Sequence, residues 1–239
     1  MPNGGEMEIF LYDSPAFKDF LQHNSHEAGE VRFLESIIRP RMKVIDVGAN
    51  IGITSVTIAR KIAKDGKLYC FEPVPEYFRI LQQNLSSNGI ENAEAFPLAL
   101  SDRISETEFY LKELSSGIVF EKRAKHIRVN TVTVDSFLRG QEVETIDVIN
   151  MDCEGSELPV LKGAEETLRH NRVRIFCEIH HGFLRQLGYS IEDIVEYLEG
   201  LSYQVQTVSL ADLRMGNDFE SCEYIYAHNL NERRNYAYL

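Results

Sequence analysis

Three short groups of residues in this chain have types and spacing that chemistry can use. The first is VIDVGANIGITS, Val44 to Ser55, where Asp46 precedes Gly48 by two positions and Gly52 follows four later. An apolar run, a glycine turn and a helical pattern, in that order, bring backbone N–H groups to a nucleotide-like ligand. In the dinucleotide fingerprint G-x-G-x-x-G the second glycine lets the backbone approach a pyrophosphate. Here the run is Gly48-Ala49-Asn50-Ile51-Gly52, so Asn50 stands in that place, and no G-K-[ST] follows for a Walker loop. A carboxylate at Asp46 would repel a pyrophosphate by on the order of several kcal/mol at low effective dielectric. It would attract a ligand with a cationic end and no phosphate. The other reading of Asp46 is a carboxylate that caps its own loop.

S-adenosyl-L-methionine has the required character: an ammonium and a sulfonium at one end, ribose and adenine at the other, no phosphate. The second group of residues tests it. Glu72 closes KLYCFE about 20 residues past the last glycine, where an acid can accept hydrogen bonds from ribose hydroxyls. Ser101 and Asp102, after AFPLAL, stand where an adenine amino group can be held. The candidate cofactor contacts are therefore Asp46, Gly48, Ala49, Asn50, Gly52, Ile53, Glu72, Pro73, Ser101 and Asp102, with Asp152 near the sulfonium.

The third group carries the candidates for catalysis. Methyl transfer from a sulfonium needs the acceptor, methyl and sulfur held in line, and a group to remove the acceptor's proton. Asp152 ends TIDVINMD, with Glu154 and Glu157 just beyond; Glu178, His180 and His181 come at the end of RVRIFCEIH. A histidine titrating near 6.5 suits a general base at neutral pH. Adjacent residues of an extended segment face opposite ways, so at most one of His180 and His181 reaches a common cleft if the strand continues that far. Asp152, Glu154 and His180 are the catalytic candidates, against the plainer reading of a packing histidine. Asp152, Glu154, Glu178 and His180 also have the ligand types for a divalent ion. They come from separate strands and show no local ligand spacing, so no metal is assigned.

The elements that must position these groups follow from periodicity. SPAFKDFL and HEAGEVRFLESII have helical spacing and make residues 1–40 an N-terminal helical extension, stopped by Pro40. From Lys43 strands alternate with helices: KVIDVG, KLYCFE, AEAFPLAL, TIDVINMD and RVRIFCEIH read as strands, separated by helices such as Glu76 to Ser87 and the one opened by Ser190 and Asp193. ELPVLKGAEETL reads as one helix with Pro159 in its first turn. Between residues 106 and 138 the period falls toward two, which predicts a small antiparallel insertion. YQVQTVSL and CEYIYAHNL predict a final antiparallel pair. The fold class is α/β with an open, mostly parallel sheet, and ligands of such sheets bind at the carboxyl ends of the strands where strand order reverses.

Composition narrows the function classes. The 239 residues are 44% hydrophobic and 26% charged, as expected of a globular chain. A net charge of −12 disfavours attraction to a nucleic-acid backbone, which needs clustered Lys and Arg. No apolar run approaches the roughly 20 residues needed to cross a bilayer, and no leader is read at the start. Cys70, Cys153, Cys177 and Cys222 form no C-x-x-C pair and read as free thiols in a reducing compartment. The expected location is cytoplasmic. Arg123, Lys125, His126 and Arg128 make a small basic cluster in the insertion, read as a solvated hairpin face.

VIDVGANIGITS, CFEPVPE, FPLALSD and above all INMDCEGSELPVLKGA resemble the FkbM-type family of S-adenosylmethionine-dependent methyltransferases. The resemblance covers roughly Glu30 to Ser209. The glycine motif is general to class I methyltransferases; D-x-E-G-x-E followed by an L-K-G-A-like helix narrows it. The resemblance implies a Rossmann-like seven-stranded sheet over residues 41–239, mostly parallel with an antiparallel last strand and helices on both faces. It implies transfer to oxygen, on hydroxyls of sugars or small molecules. It places Asp46, Gly48, Asn50 and Gly52 around the methionine end, Glu72 at the ribose and Ser101 with Asp102 at the adenine. N-methylation, and a cofactor-binding protein without turnover, stay open as alternatives; the acceptor and the oligomeric state are not readable.

Overall fold

The computed structural model describes residues 9–10, 26–111, 117–118 and 125–230, so the SPAFKDFL helix and Arg123 of the basic cluster lie outside the described residues. In chain order the elements are α1 (His26–Ile37), β1 (Lys43–Val47), α2 (Ile53–Ile62), β2 (Lys67–Phe71), α3 (Pro75–Ser87), β3 (Ala93–Phe96), β4 (Ala99–Leu100), β5 (Ser105–Leu111) and β6 (Lys125–Val132). There follow α4 (Val134–Gly140), β7 (Val148–Met151), α5 (Glu157–Lys162), α6 (Glu165–His170), β8 (Arg174–Glu178), α7 (His181–Gln186), α8 (Ile191–Gly200), β9 (Tyr203–Ser209), β10 (Arg214–Gly216) and β11 (Tyr224–Asn229).

The main sheet runs β10-β9-β11-β8-β7-β1-β2-β3. β3, β2, β1, β7 and β8 are parallel; β11 lies antiparallel between β8 and β9. The expected final pair is present, but among the described residues the sheet has eight strands rather than seven, because the loop between β9 and β11 contributes β10 to the edge. KVIDV alternates between two cores, as a strand covered on both faces must. Ile45 and Val47 pack with α4, α5, α6 and α8 on one side, and Val44 packs with α1, α2 and α3 on the other.

Three sequence expectations are modified. AEAFPLAL is two strands: Pro97 lacks the N–H a ladder needs, and the chain leaves the main sheet as β3 and joins a second, three-stranded sheet, β4-β6-β5, as β4. Period two ends at Val132; Thr133 opens α4 with a capping box whose partner is Ser136. ELPVLKGAEETL divides into α5 and α6 at Gly163 and Ala164. The capping box read at Ser190 and Asp193 is formed.

β1 pairs with β2 on one side and with β7 on the other, so the strand order reverses between β1 and β7. At that crevice Gly48 has φ +78, and a Cβ there would fall 1.8 Å from the Asp152 carbonyl oxygen. Gly163 permits a similar approach in the neighbouring layer: its Cβ would fall 2.0 Å from the Ser101 carbonyl oxygen. Backbone cannot retreat as a flexible side chain can, so Gly163→Ala is expected to lower stability by about 1–3 kcal/mol in urea unfolding. Gly182, on α7, has nothing within 4 Å of its Cβ position. Gly182→Ala should be neutral or stabilising by up to about 1 kcal/mol; equal losses from both substitutions would refute the close-approach account.

Candidate active site

A cavity of about 460 Å³ opens at the carboxyl ends of the parallel strands. Of the sequence-derived cofactor candidates, Gly48, Asn50, Glu72, Pro73, Ser101, Asp102 and Asp152 line it. Asp46, Ala49, Gly52 and Ile53 do not; they build the loop beneath. Gly52, at φ +91, packs where a Cβ would meet Leu81 of α3 at 2.6 Å.

Asp46 is a correction to the ligand-facing expectation. Its side chain sits on the α2 face of β1, is 1% exposed, and has both oxygens engaged by the protein. Ser55 Oγ donates to one at 2.5 Å and Asn150 Nδ2 to the other at 2.8 Å. Burial raises its pKa, against the pull of these donors. The capping reading describes it: the carboxylate ties β1, α2 and β7 together under the loop.

Glu72 does face the cavity. Its two oxygens accept from the backbone N–H of Asn50 (2.9 Å) and of Val74 (2.7 Å), which fixes the carboxylate against both loops. Burial pushes its pKa to about 8, with the two N–H donors opposing. Asn50, at φ +49, turns its backbone toward Glu72, while its side-chain Oδ1 is buried at the cavity with no hydrogen-bond partner among the described residues. Asp102 is paired with its neighbour Arg103 (3.0 Å) and lies 3.3 Å from Ser101 Oγ.

The catalytic candidates meet on the opposite wall. Asp152 follows β7, and the next turn carries Glu154 (φ +51) and Gly155 (φ +97) in left-handed conformations, which returns the chain toward α5. Asp152 and Glu154 line the cavity; His180 is set behind them. β8 ends at Glu178, so His180 and His181 are not on a continuing strand. His181 Nε2 donates to the Cys222 carbonyl (2.8 Å), a structural contact. His180 Nδ1 donates to Glu157 Oε1 at 2.9 Å, and its Nε2 lies 3.4 Å from Glu154, 3.6 Å from Asp152 and 3.6 Å from Glu178.

This setting changes what His180 can do. Burial favours the neutral ring, but the Glu157 hydrogen bond and the charges of Asp152 and Glu154 overcome it and hold the pKa at about 10. At that value the ring keeps its second proton at neutral pH, unlike the free base that an unperturbed histidine would be. Asp152 is raised to about 7 by burial, with His180 opposing and Glu154 adding; 45% of its side chain is open, into the cavity. Glu178 is raised to about 7 by burial and by Asp152, and hydrogen-bonds Tyr224. Burial also holds the Cys153 thiol, on the same wall, well above its ordinary value. The four cysteines are free.

Sequence reasoning passed over two contributors. Thr107, Phe109 and Thr131 of the small sheet close the cavity's side, and Leu187 with Tyr189 comes from the turn after α7. Alternation in TEFYL and RVNTV announced strands but not the surface they would face. Among the described residues no helix is long and apolar enough to cross a membrane.

Residues 46–205 match the methyltransferase FkbM domain family. Methyltransferase sdnD of Sordaria araneosa is 28% identical over 157 residues, covering 52% of this chain and 60% of that protein. The 2-O-methyltransferase NoeI of Sinorhizobium fredii is 26% identical over 153 residues (56% and 62%). Hexuronic acid methyltransferase AglP of Haloferax volcanii is 27% identical over 138 residues (57% and 55%). The chain thus spans 55–62% of the length of these curated relatives. The crystal structure of methyltransferase FkbM from Methylobacillus flagellatus superposes with a TM-score of 0.53 at 16% identity, over 89% of this chain and 58% of that one. At this identity the likeness concerns the fold.

Glu72 yields a pH prediction. Its folded pKa of about 8 lies above the ordinary 4.5, so the unfolded chain releases its proton first as pH rises. The stability this contributes is complete below about 4.5 and is lost as pH climbs through 8. Between about pH 5 and about pH 9 the wild-type unfolding free energy from urea titration should fall more steeply than that of Glu72→Gln, by an amount on the order of a few kcal/mol. Parallel slopes would mean that the proton is not held at Glu72.

Proposed function

The chain belongs to the methyltransferase FkbM family, and on that premise we propose that it transfers the methyl group of S-adenosyl-L-methionine to a hydroxyl oxygen of a sugar or other small molecule. The observation that carries the reading is a continuous cavity whose wall runs from Gly48 and Asn50 through Glu72 to Ser101 and Asp102, and whose far side presents Asp152 and Glu154. These residues fit the cofactor. Gly48 leaves backbone bare where a side chain would stand, and Asn50 Oδ1 is a buried acceptor awaiting a donor such as an ammonium. The Glu72 carboxyl oxygens, each accepting one backbone N–H, have lone pairs left for ribose hydroxyls.

When bound, the cofactor supplies a methyl group on a sulfonium, an electrophile that needs no further activation. The protein's tasks are alignment and proton removal. Asp152, directly at the end of β7, orients the acceptor hydroxyl, and Glu154, beside it on the cavity wall, takes the proton. His180 holds both carboxylates in place from behind. Oxygen as the acceptor atom agrees with the descriptions of relatives as a 2-O-methyltransferase and a hexuronic acid methyltransferase. A net charge of −12 disfavours nucleic acid as the acceptor, and four free cysteines suit the cytoplasm.

Calorimetry with S-adenosylhomocysteine should show saturable binding, and a folded protein that does not bind it would remove the reading. Given an accepted hydroxylated substrate, Glu154→Gln is expected to lower turnover by about 10²–10⁴ with S-adenosylhomocysteine affinity retained. Binding of the cofactor product without transfer to any of a broad set of sugars and alcohols would identify a non-catalytic relative instead.

A further inference from the structure

The cluster behind the cavity wall is built like a ligand set. Asp152 Oδ1 and Glu178 Oε1 each lie 3.6 Å from His180 Nε2, and the ligand atoms of these three residues all fall within 4.8 Å of one another. Around an octahedral ion with bonds of about 2.1 Å, neighbouring ligands stand about 3.0 Å apart and opposite ones about 4.2 Å. A contraction of roughly half an ångström brings the three atoms into that range.

Three further features set this cluster apart from an ordinary group of surface acids. His180 is oriented from its far side: Nδ1–H donates to Glu157 Oε1, and Glu157, fully buried, is itself fixed by the Gly155 N–H at 3.0 Å. A carboxylate on one imidazole nitrogen selects the tautomer whose other nitrogen carries the lone pair and aims it, which is how metal-binding histidines are held. Next, Asp152 Oδ1 and Glu157 Oε2 are inaccessible to solvent and have no hydrogen-bond partner among the described residues, and orphaned buried oxygens in a native fold commonly mark a missing ion or water. Last, among the described residues no lysine or arginine pairs with Asp152, Glu157 or Glu178, and the cationic group these three carboxylates share is the His180 imidazole.

We propose that Asp152, Glu178 and His180 form a binding site for one divalent cation of the magnesium or manganese class, behind the wall of the cavity that Asp152 lines. Sequence alone assigns no metal because the ligands come from the ends of two separate strands; the parallel pairing of β7 with β8 is what joins them. Two carboxylates suit a hard cation, and the imidazole tilts the preference from magnesium toward manganese. Binding displaces any proton on Nε2 and leaves the Glu157 bond at Nδ1 intact. Tyr224, hydrogen-bonded to Glu178 from β11, steadies the third ligand. Glu154 stays on the cavity side. The ion's effect on an acceptor, drawing a hydroxyl oxygen toward Asp152 and easing loss of its proton to Glu154, rests on the methyl-transfer reading. Its binding does not.

The test titrates the full chain, stripped with a chelator and dialysed, with manganese chloride in a calorimeter, alongside a separate titration with S-adenosylhomocysteine. One saturable manganese site is expected, weakened at least tenfold in Asp152→Ala and in Glu178→Gln. It should be unchanged in Asp102→Asn, a cavity carboxylate outside the cluster. Circular dichroism of each variant establishes that it is folded. No saturable manganese binding by a folded protein that still binds S-adenosylhomocysteine overturns the metal site alone. Manganese binding unaffected by either substitution overturns it too, since the ion is then elsewhere. Manganese binding that depends on both residues, in a protein that does not bind S-adenosylhomocysteine, supports the metal site and removes the methyl-transfer reading instead.

Discussion

The approach of the Gly48 backbone to the Asp152 carbonyl governs the site. With no side chain at Gly48, the turn after β1 lies directly on the chain leaving β7, and the two sides of the cavity are brought within a few ångströms of each other. Asp46 makes that contact rigid from below. It accepts from Ser55 on α2 and from Asn150 on β7, so the strand carrying the turn, the helix after it and the opposite strand share one buried carboxylate. A buried charge of this kind is tolerable because each oxygen has a donor, and removing either donor would leave an uncompensated group in the core.

The alternation of strands and helices, the turn at Gly48 and the acid at Glu72 were all legible in the sequence, because each depends on local period or on a short spacing. The facing of Asp46 was not. A residue one place from the end of a strand points to one face or the other by register alone, and the ligand-facing and loop-capping roles demand the same residue type. The division of AEAFPLAL into two sheets could have been anticipated from Pro97, which cannot donate to a ladder. β10 could not: three residues, RMG, carry no period. The cavity contribution of Thr107, Phe109 and Thr131 was hidden for a different reason, since period two identifies a strand without saying which surface it covers.

The acidic wall shows how far environment can move a residue from its expected role. From sequence, His180 near its ordinary pKa is a base. In the fold burial opposes the charged ring, but the Glu157 hydrogen bond and the charges of Asp152 and Glu154 outweigh it and hold the pKa at about 10, with Glu178 also close by. Glu157 supplies the hydrogen bond that raises that pKa most, a pairing that no local spacing announces. It occupies the first turn of α5, where a carboxylate reads as a favourable neighbour of the helix terminus, yet it is fully buried and bonded to the imidazole. The carboxylates that raise the His180 pKa surround a position where positive charge is stabilised. A proton on Nε2 and a divalent ion are alternative occupants of that field, and the ion satisfies more of the oxygens.

On the methyl-transfer reading, the two sides of the cavity differ in how they are made, and this explains why motifs identify one side better than the other. The donor side is built from short loops at strand ends, where Gly48, Asn50 and Glu72 act largely through backbone geometry and fixed hydrogen bonds. Such constraints leave a compact trace in sequence, because few residues satisfy them. The remaining enclosure comes from side chains on the small β4-β6-β5 sheet and on the turn carrying Leu187 and Tyr189. There the requirement is only a surface of suitable shape and polarity, which many sequences meet. Even Glu30, on the first described helix, reaches the hydrogen-bonding group around Tyr224 that adjoins Glu178. Selection of the acceptor is therefore distributed over elements with no common spacing, so it has to be sought in the shape of the cavity and in the groups that converge on Asp152.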